Sequence, residues 1–173
     1  YLDTVKYVDY LLAECGHKEV IIADRNGIVR ISSRKELVGT DISTKDFFRT
    51  AIEGAFFTSN IIPSDIPIEN ESGELEVGVP TMLVSVPVKD RSNAIAGAVT
   101  IRIDVSEMNA LMQNVHLGKT GETYLVNAQG YMLTESRFTE DLKGQRRINK
   151  RSALELKVVD PGTGIMTRGI REC

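Results

Sequence analysis

Hydrophobic and polar positions follow one another along this chain in a pattern that is written twice. The run EVIIADRNGIVRISSR, from Glu19 to Arg34, aligns without a gap on ETYLVNAQGYMLTESR, from Glu122 to Arg137. Glu, Gly, Ser and Arg coincide at a spacing of 103 residues, and Gly27 falls on Gly130. Each copy predicts an apolar strand, a tight turn with glycine where positive φ is cheap, and a second apolar strand. The spacing is far too long for a solenoid repeat and fits one small module followed by its duplicate.

The flanking pattern fills in the rest. Leu2, Val5, Val8, Leu11 and Leu12 recur at three- and four-residue intervals, which predicts a helix over 1–17 stopped by Gly16. Strands follow at 19–25 and 28–33, turned by Asn26-Gly27. A short helix is predicted over 41–54, capped by Ser43 or Thr44, with Phe47, Phe48, Ala51 and Ile52 on its apolar side. Residues 55–62 read as strand. The stretch 63–80 holds Pro63, Pro67 and Pro80 with Asp65, Glu69, Glu71, Glu74 and Glu76, and is expected to be an exposed excursion rather than core.

Two further strands, 80–88 and 94–103, are joined by the polar turn at 90–93. Asp104 with Glu107 predicts a capping box, and Val105, Met108, Leu111, Met112 and Val115 the inward face of the helix that follows. The second copy then offers Leu142 to Gly144 and a helix-like SALELK at 152–157. Counterparts of the strands at 80–88 and 94–103 do not follow, so the second sheet is expected to be incomplete, with exposed edges.

Alternation sorts the last two strands of the first module into faces. Ile95, Gly97, Val99, Ile101 and Ile103 share one side, Ala96, Ala98, Thr100 and Arg102 the other; Met82, Val84 and Val86 oppose Thr81, Leu83 and Ser85. The greasy side is expected to pack on the first helix. The small, polar side is either wet, as one side of an antiparallel sheet often is, or covered by the short helix bearing Lys45, Phe47, Phe48 and Arg49. Covered, it makes an aromatic-walled pocket with a few placed charges, the usual chemistry of a small-ligand site.

Composition narrows the class. At 42% apolar and 26% charged residues the 173-residue chain is ordinary for a globular protein, and a net charge of -3 argues against nucleic acid as a partner. It contains no run of about 18 apolar residues and no secretory leader, yet it opens within a helix pattern and reads as a piece of a longer membrane protein. Cys15 and Cys173 are the only cysteines, too few for a disulfide framework or a Cys-rich zinc site. The distance expected between two modules disfavours a bridge between them.

Other chemistry falls short. Gly118-Lys119-Thr120 resembles the end of a phosphate loop, but Gln113 stands where its first Gly is required. Gly162-Thr163-Gly164 is followed by Thr167 instead of the third glycine of a dinucleotide fingerprint. His17 and His116 stand alone and read as helix-end residues rather than metal ligands or bases. The acids from Asp65 to Glu76 do not follow a calcium-loop spacing, and Asn70-Glu71-Ser72 is a glycosylation sequon that matters only in a eukaryotic secretory setting. No cofactor, metal or catalytic residue is expected.

The order of elements, TKDFFRTAIEG, PTMLVSVPV, AIAGAVTIRID and the restart GKTGETYLVNAQGYMLTES resemble a double Cache domain, the PAS-like extracytoplasmic sensor region of bacterial and archaeal chemoreceptors and sensor histidine kinases. The resemblance implies an α+β fold: a long N-terminal helix, here 1–17, then tandem PAS-like modules with antiparallel sheets. These are a membrane-distal ligand-binding module at 18–114 and an incomplete membrane-proximal one at 115–173. It also implies flanking transmembrane helices in the full receptor. Carried over by position, the ligand-binding residues are Lys45, Phe47 and Phe48, then Ser59, Ile62 and Ser64, then Ser85 and Arg102.

The chain departs from the amino-acid-binding members, which carry an Arg, a Trp-Tyr pair two residues later, and a late carboxylate. Here Lys45 replaces the Arg, Phe47-Phe48 the aromatic pair and Arg102 the carboxylate. An arginine there favours an organic anion through a charge-assisted, bidentate bond. The leading expectation is therefore a non-enzymatic extracytoplasmic sensor of a small organic molecule, a carboxylate, with Tyr1, Tyr7 and Tyr10 offering a fringe on which two subunits could pair. Its rival is a cytoplasmic PAS-type dimerisation module with no specific ligand; an enzyme ranks last.

Overall fold

The computed structural model describes residues 17–69, 72–115, 118 and 121–159, together with Lys6, Val8, Tyr10, Leu12 and Glu14. Those five are helical, with Val8 buried and Leu12 half-buried as the apolar stripe requires. The rest of the expected first helix, both cysteines and the segment after Val159 lie outside the described residues. The fold is α+β with antiparallel sheets and few helices. Contacts divide the chain into two units that interleave rather than follow one another: 1–60 with 81–104, and 61–80 with 105–173. The expected boundary at 114/115 is not where this division falls.

The first unit is built on an antiparallel sheet. β1 (His17–Asp24) turns into β2 (Val29–Ser32), and β7 (Pro80–Lys89) turns into β8 (Ile95–Asp104). With β3 (Phe57–Thr58) the order is β2-β1-β8-β7-β3. His17 thus opens a strand and does not close a helix. The β1–β2 turn is an Asx turn: Asp24 Oδ1 accepts the N–H groups of Asn26 and Ile28, and Gly27 takes φ +85°. Asp90 does the same work between β7 and β8, accepting from Ser92 and Ala94.

The short helix is α1 (Asp46–Ile52), later and shorter than the pattern suggested. Its N-cap is Lys45, whose ammonium has no acceptor with which to cap it, while the Ser43 N–H bonds to Asp41 Oδ1 in a turn of its own. Ile21, Ala23, Val29, Ile42, Phe48, Ala51 and Ala98 form the core, with Leu37, Phe47 and Ile52 at its margin. α1 therefore lies on the Ala98 side of β8, the small-residue side. That side is not wet: Ala98, Thr100 and Arg102 are buried, whereas Val99, Ile101 and Ile103 are only half-buried.

The second unit differs more from expectation. The acidic excursion is not simply exposed: it carries β4 (Ile62–Pro63) and a hairpin of β5 (Ile68–Glu69) on β6 (Leu75–Glu76), and Ile66, Ile68 and Val79 bury one another. The strand read at 55–62 is broken into β3 and β4. α2 spans Ser106–Gln113 and has Val105, one residue after the expected Asp104, as its N-cap. Asp104 ends β8 instead, 3.2 Å from Lys18 Nζ. Val105 and Asn109 are buried, and Leu111 is 65% exposed. Asn109 turns inward because its Oδ1 accepts the Glu135 N–H.

The repeated turn is faithful. Asn127 Oδ1 accepts from Gln129 and Tyr131, Asn127 N donates to the Tyr131 carbonyl, and Gly130 takes φ +84°. The core of this unit is Met132, Leu142, Ile148, Leu156 and Val158, with Leu142 on α3 (Thr139–Gly144). SALELK is not helical. Leu154 holds φ +61°, and the N–H groups of Leu156 and Val158 bond to Ser152 and Gly130, so the segment runs as a turn into an extended stretch.

Candidate functional site

Across the buried side of the first unit's sheet the register places Glu19, Ile21 and Ala23 of β1 opposite Arg102, Thr100 and Ala98 of β8, which in turn face Leu83, Ser85 and Pro87 of β7. The row changes character along the strands. At the Ala98 end it is apolar and sealed by Phe48 and Ala51. In the middle the Ser85 and Thr100 hydroxyls bond each other at 2.9 Å, both buried. At the far end it is charged.

There Arg102, 5% exposed, meets Glu19, 2% exposed, with Nε 3.1 Å from Oε2. Arg102 Nη1 also donates to Thr81 Oγ1 at 3.2 Å, and Arg34 Nη1 stands 3.5 Å from the other Glu19 oxygen. A β-bulge between His17 and Glu19 delivers the carboxylate to this spot. The result is a desolvated guanidinium–carboxylate pair, in which one charge removed leaves the other buried and unmatched. The two hydroxyls bond each other and the carboxylate bonds guanidinium groups, so this row holds no nucleophile facing a base. Among the described residues no cluster of His, Cys, Asp and Glu could hold a metal ion.

The structure distributes the expected site residues unevenly. Ser85 and Arg102 share the buried side of the sheet. Phe48 is 3% exposed and belongs to the core, while Phe47 is half-buried and meets Phe57 edge to face at 6.5 Å. Lys45 is exposed at the start of α1. Ser59 bridges strands, its Oγ accepting the Leu83 N–H at 2.9 Å and donating to the Asn60 carbonyl. Ile62 and Ser64 belong to the second unit, where the buried Ser64 accepts the Gly78 N–H on Oγ. Glu19 escaped the sequence reading, which placed Thr81 and Thr100 on this face but not among the ligand-binding residues. The available signal was an acid in an otherwise apolar strand, repeated as Glu122, whose Oε2 likewise accepts from the repeated Ser136 and Arg137.

No family model matches this chain, and no curated protein does. Solved structures do. The chain is similar to the ligand-binding domain of the Campylobacter jejuni chemoreceptor Tlp3 in complex with 4-methylisoleucine, with TM-score 0.56 and 16% identity over 82% of this chain and 52% of that one. It is similar to the extracellular domain of a chain named as the histidine kinase rpHK1S-Z16, with TM-score 0.55 and 19% identity over 77% and 53%. It is similar also to an extracellular ligand binding receptor from Desulfohalobium retbaense, with TM-score 0.52 and 13% identity over 84% and 27%. The chain thus spans about half, or less, of the length of the structures it matches. At these identities the likeness is one of fold, and the fold is that of receptor sensor domains, as the resemblance to double Cache regions implied. No helix among the described residues is long and apolar enough to cross a membrane.

Proposed function

We propose that this chain is the extracytoplasmic, ligand-binding sensor region of a transmembrane signal-transduction receptor, a histidine kinase or chemoreceptor, and that it is not an enzyme. In this reading a long first helix precedes tandem PAS-like modules, transmembrane helices flank the region, and the membrane-distal module takes a small organic molecule bearing a carboxylate. The observation that carries it is the buried Arg102 on the small-residue side of the sheet, the side that the short helix covers at its Ala98 end. A ligand carboxylate would compete with Glu19 for that guanidinium, and its binding would be favoured in whichever arrangement of the strands opens the pair. The Tlp3 domain solved with 4-methylisoleucine shows the same fold holding an amino-acid ligand in that protein.

Glu19 also supports a second reading. Because it already matches Arg102, and Ser85 already matches Thr100, the face needs no guest, which is what a PAS-type interaction module without a ligand would show. A melting-temperature screen with mono- and dicarboxylates and amino acids separates the two. A ligand at a hundredfold excess over its Kd stabilises the native state by about 2.7 kcal/mol, enough to see. The shift should vanish in Arg102→Lys and shrink in Lys45→Ala, whose exposed side chain does not threaten folding. No shift with any compound in the wild-type protein would leave the interaction module standing.

A further inference from the structure

One surface of the second unit is at odds with the acidic chain that bears it. From Leu142 to Ser152 there are five cations, Lys143, Arg146, Arg147, Lys150 and Arg151, and no acid, in a protein whose net charge is -3. Lys143 pairs with Glu140, and Arg151 and Lys150 lie against Glu76. Arg146 and Arg147 are exposed and their side chains meet no partner among the described residues.

The backbone that carries them is held from three directions. After α3, Arg146 N–H bonds to the Lys143 carbonyl and Arg147 N–H to the Leu142 carbonyl, the paired closure of a Schellman motif. Ile148 is buried in the core beside Leu142. Glu155 then receives the N–H groups of Asn149, Lys150 and Arg151. Exposed cations usually ride on mobile loops, so fixing these in advance lowers the ordering cost of binding an anionic surface. The closure also puts Arg146 at φ +57°, where glycine is the ordinary choice. The fold carries that strain and keeps a guanidinium at this spot.

We propose that the 143–151 loop docks on an anionic lipid surface, its arginines meeting headgroup phosphates. The inference rests on the extracytoplasmic-receptor reading for its choice of polyanion. The surrounding negative charge disfavours long-range capture of nucleic acid and leaves a short-range contact with a charged plane, which several fixed cations on one loop can make together.

The test is co-sedimentation of the 173-residue chain with phosphatidylglycerol–phosphatidylcholine vesicles and with phosphatidylcholine alone, at about 0.1 M salt. Arg146→Gly removes a charge while relieving its backbone strain, so misfolding cannot mimic a loss; Arg147→Ala removes the second. Preference for the anionic vesicles should fall about fivefold for each arginine removed and disappear at high salt. Equal binding to both vesicle types, or undiminished binding by the double variant, overturns the proposal. So does inorganic phosphate that raises the melting temperature and abolishes vesicle binding at unchanged ionic strength, because that describes a site for a single free anion. The ligand screen on the double variant keeps the two ideas apart: a retained ligand shift with no vesicle binding sinks only the docking surface.

Discussion

Glu19 and Arg102, 83 positions apart, bury their charges against each other with Nε 3.1 Å from the carboxylate. Such a pair is costly to break from one side and cheap to replace as a whole. Arg102→Met or Glu19→Gln alone should destabilise the first unit by roughly 3–5 kcal/mol in urea unfolding, and Glu19→Leu with Arg102→Met should recover most of it. Single variants within about 1 kcal/mol of wild type would mean that the charges are solvated in solution.

The hydroxyl pair next to it is a smaller matter. Thr100→Val removes the partner of the Ser85 hydroxyl and leaves it only the Val99 carbonyl at 3.3 Å. The expected loss is about 1 kcal/mol, and adding Ser85→Ala should cost less than the sum of the single changes, since both delete one bond. Strict additivity in a double-mutant cycle would show that the hydroxyls do not interact.

Two glycines separate backbone strain from crowding. Gly39 has φ +86° with nothing near a would-be Cβ, whereas Gly130 has φ +84° and its Cβ would stand 1.8 Å from the Val159 carbonyl oxygen. Gly39→Ala should cost about 1–2 kcal/mol from conformation alone. Gly130→Ala should cost clearly more, because the returning strand must move as well. Equal shifts in melting temperature would refute the close crossing at Val159.

Acid should loosen the basic loop. Burial pushes the Glu155 carboxyl up, but the N–H groups of Asn149, Arg151 and Lys150, with the Arg151 charge, outweigh it and hold its pKa below the ordinary value. A group lowered on folding contributes stability that is fully present above its unfolded pKa, near about 4.3, and is lost as pH falls through the folded value. Melting temperature should therefore hold from neutrality to about pH 5 and drop below it, and Glu155→Gln should flatten part of that drop. A variant with an unaltered acid slope would place the sensitivity elsewhere, at carboxyls such as Asp41 and Asp90, which backbone and serine hydrogen bonds also hold low.

What could be read from the sequence was whatever local chemistry decides. Asn26-Gly27 marked a turn because few residues tolerate positive φ, and the strands ending in β7 and β8 came within a residue or two because alternation has a fixed period. Long-range pairing stayed hidden. Nothing near Glu19 announces that a bulge will deliver it to Arg102, and nothing near Leu111 says that Asn109 will turn inward to meet Glu135. SALELK has helix-forming residues, but the Leu156 carbonyl accepts the Met132 N–H and the Val158 N–H bonds to the Gly130 carbonyl, so the segment pairs with the extended stretch it is buried beside. Alternation put Ser85 and Arg102 on one face of the sheet, where the register has them, while Phe48 lies in the core because a ring that covers small residues also excludes water from them.

Asp24 and Asn127 hold matching turns with isosteric side chains, and only one of them can take a proton. Arg30, with the turn's own N–H groups, keeps Asp24 ionised below the usual carboxylate range. In strong acid that acceptor becomes in part a donor and its turn slackens, while the amide in the other copy goes on accepting unchanged. Twins at neutral pH, the two hairpins would come apart in order, the one nearer the N-terminus first.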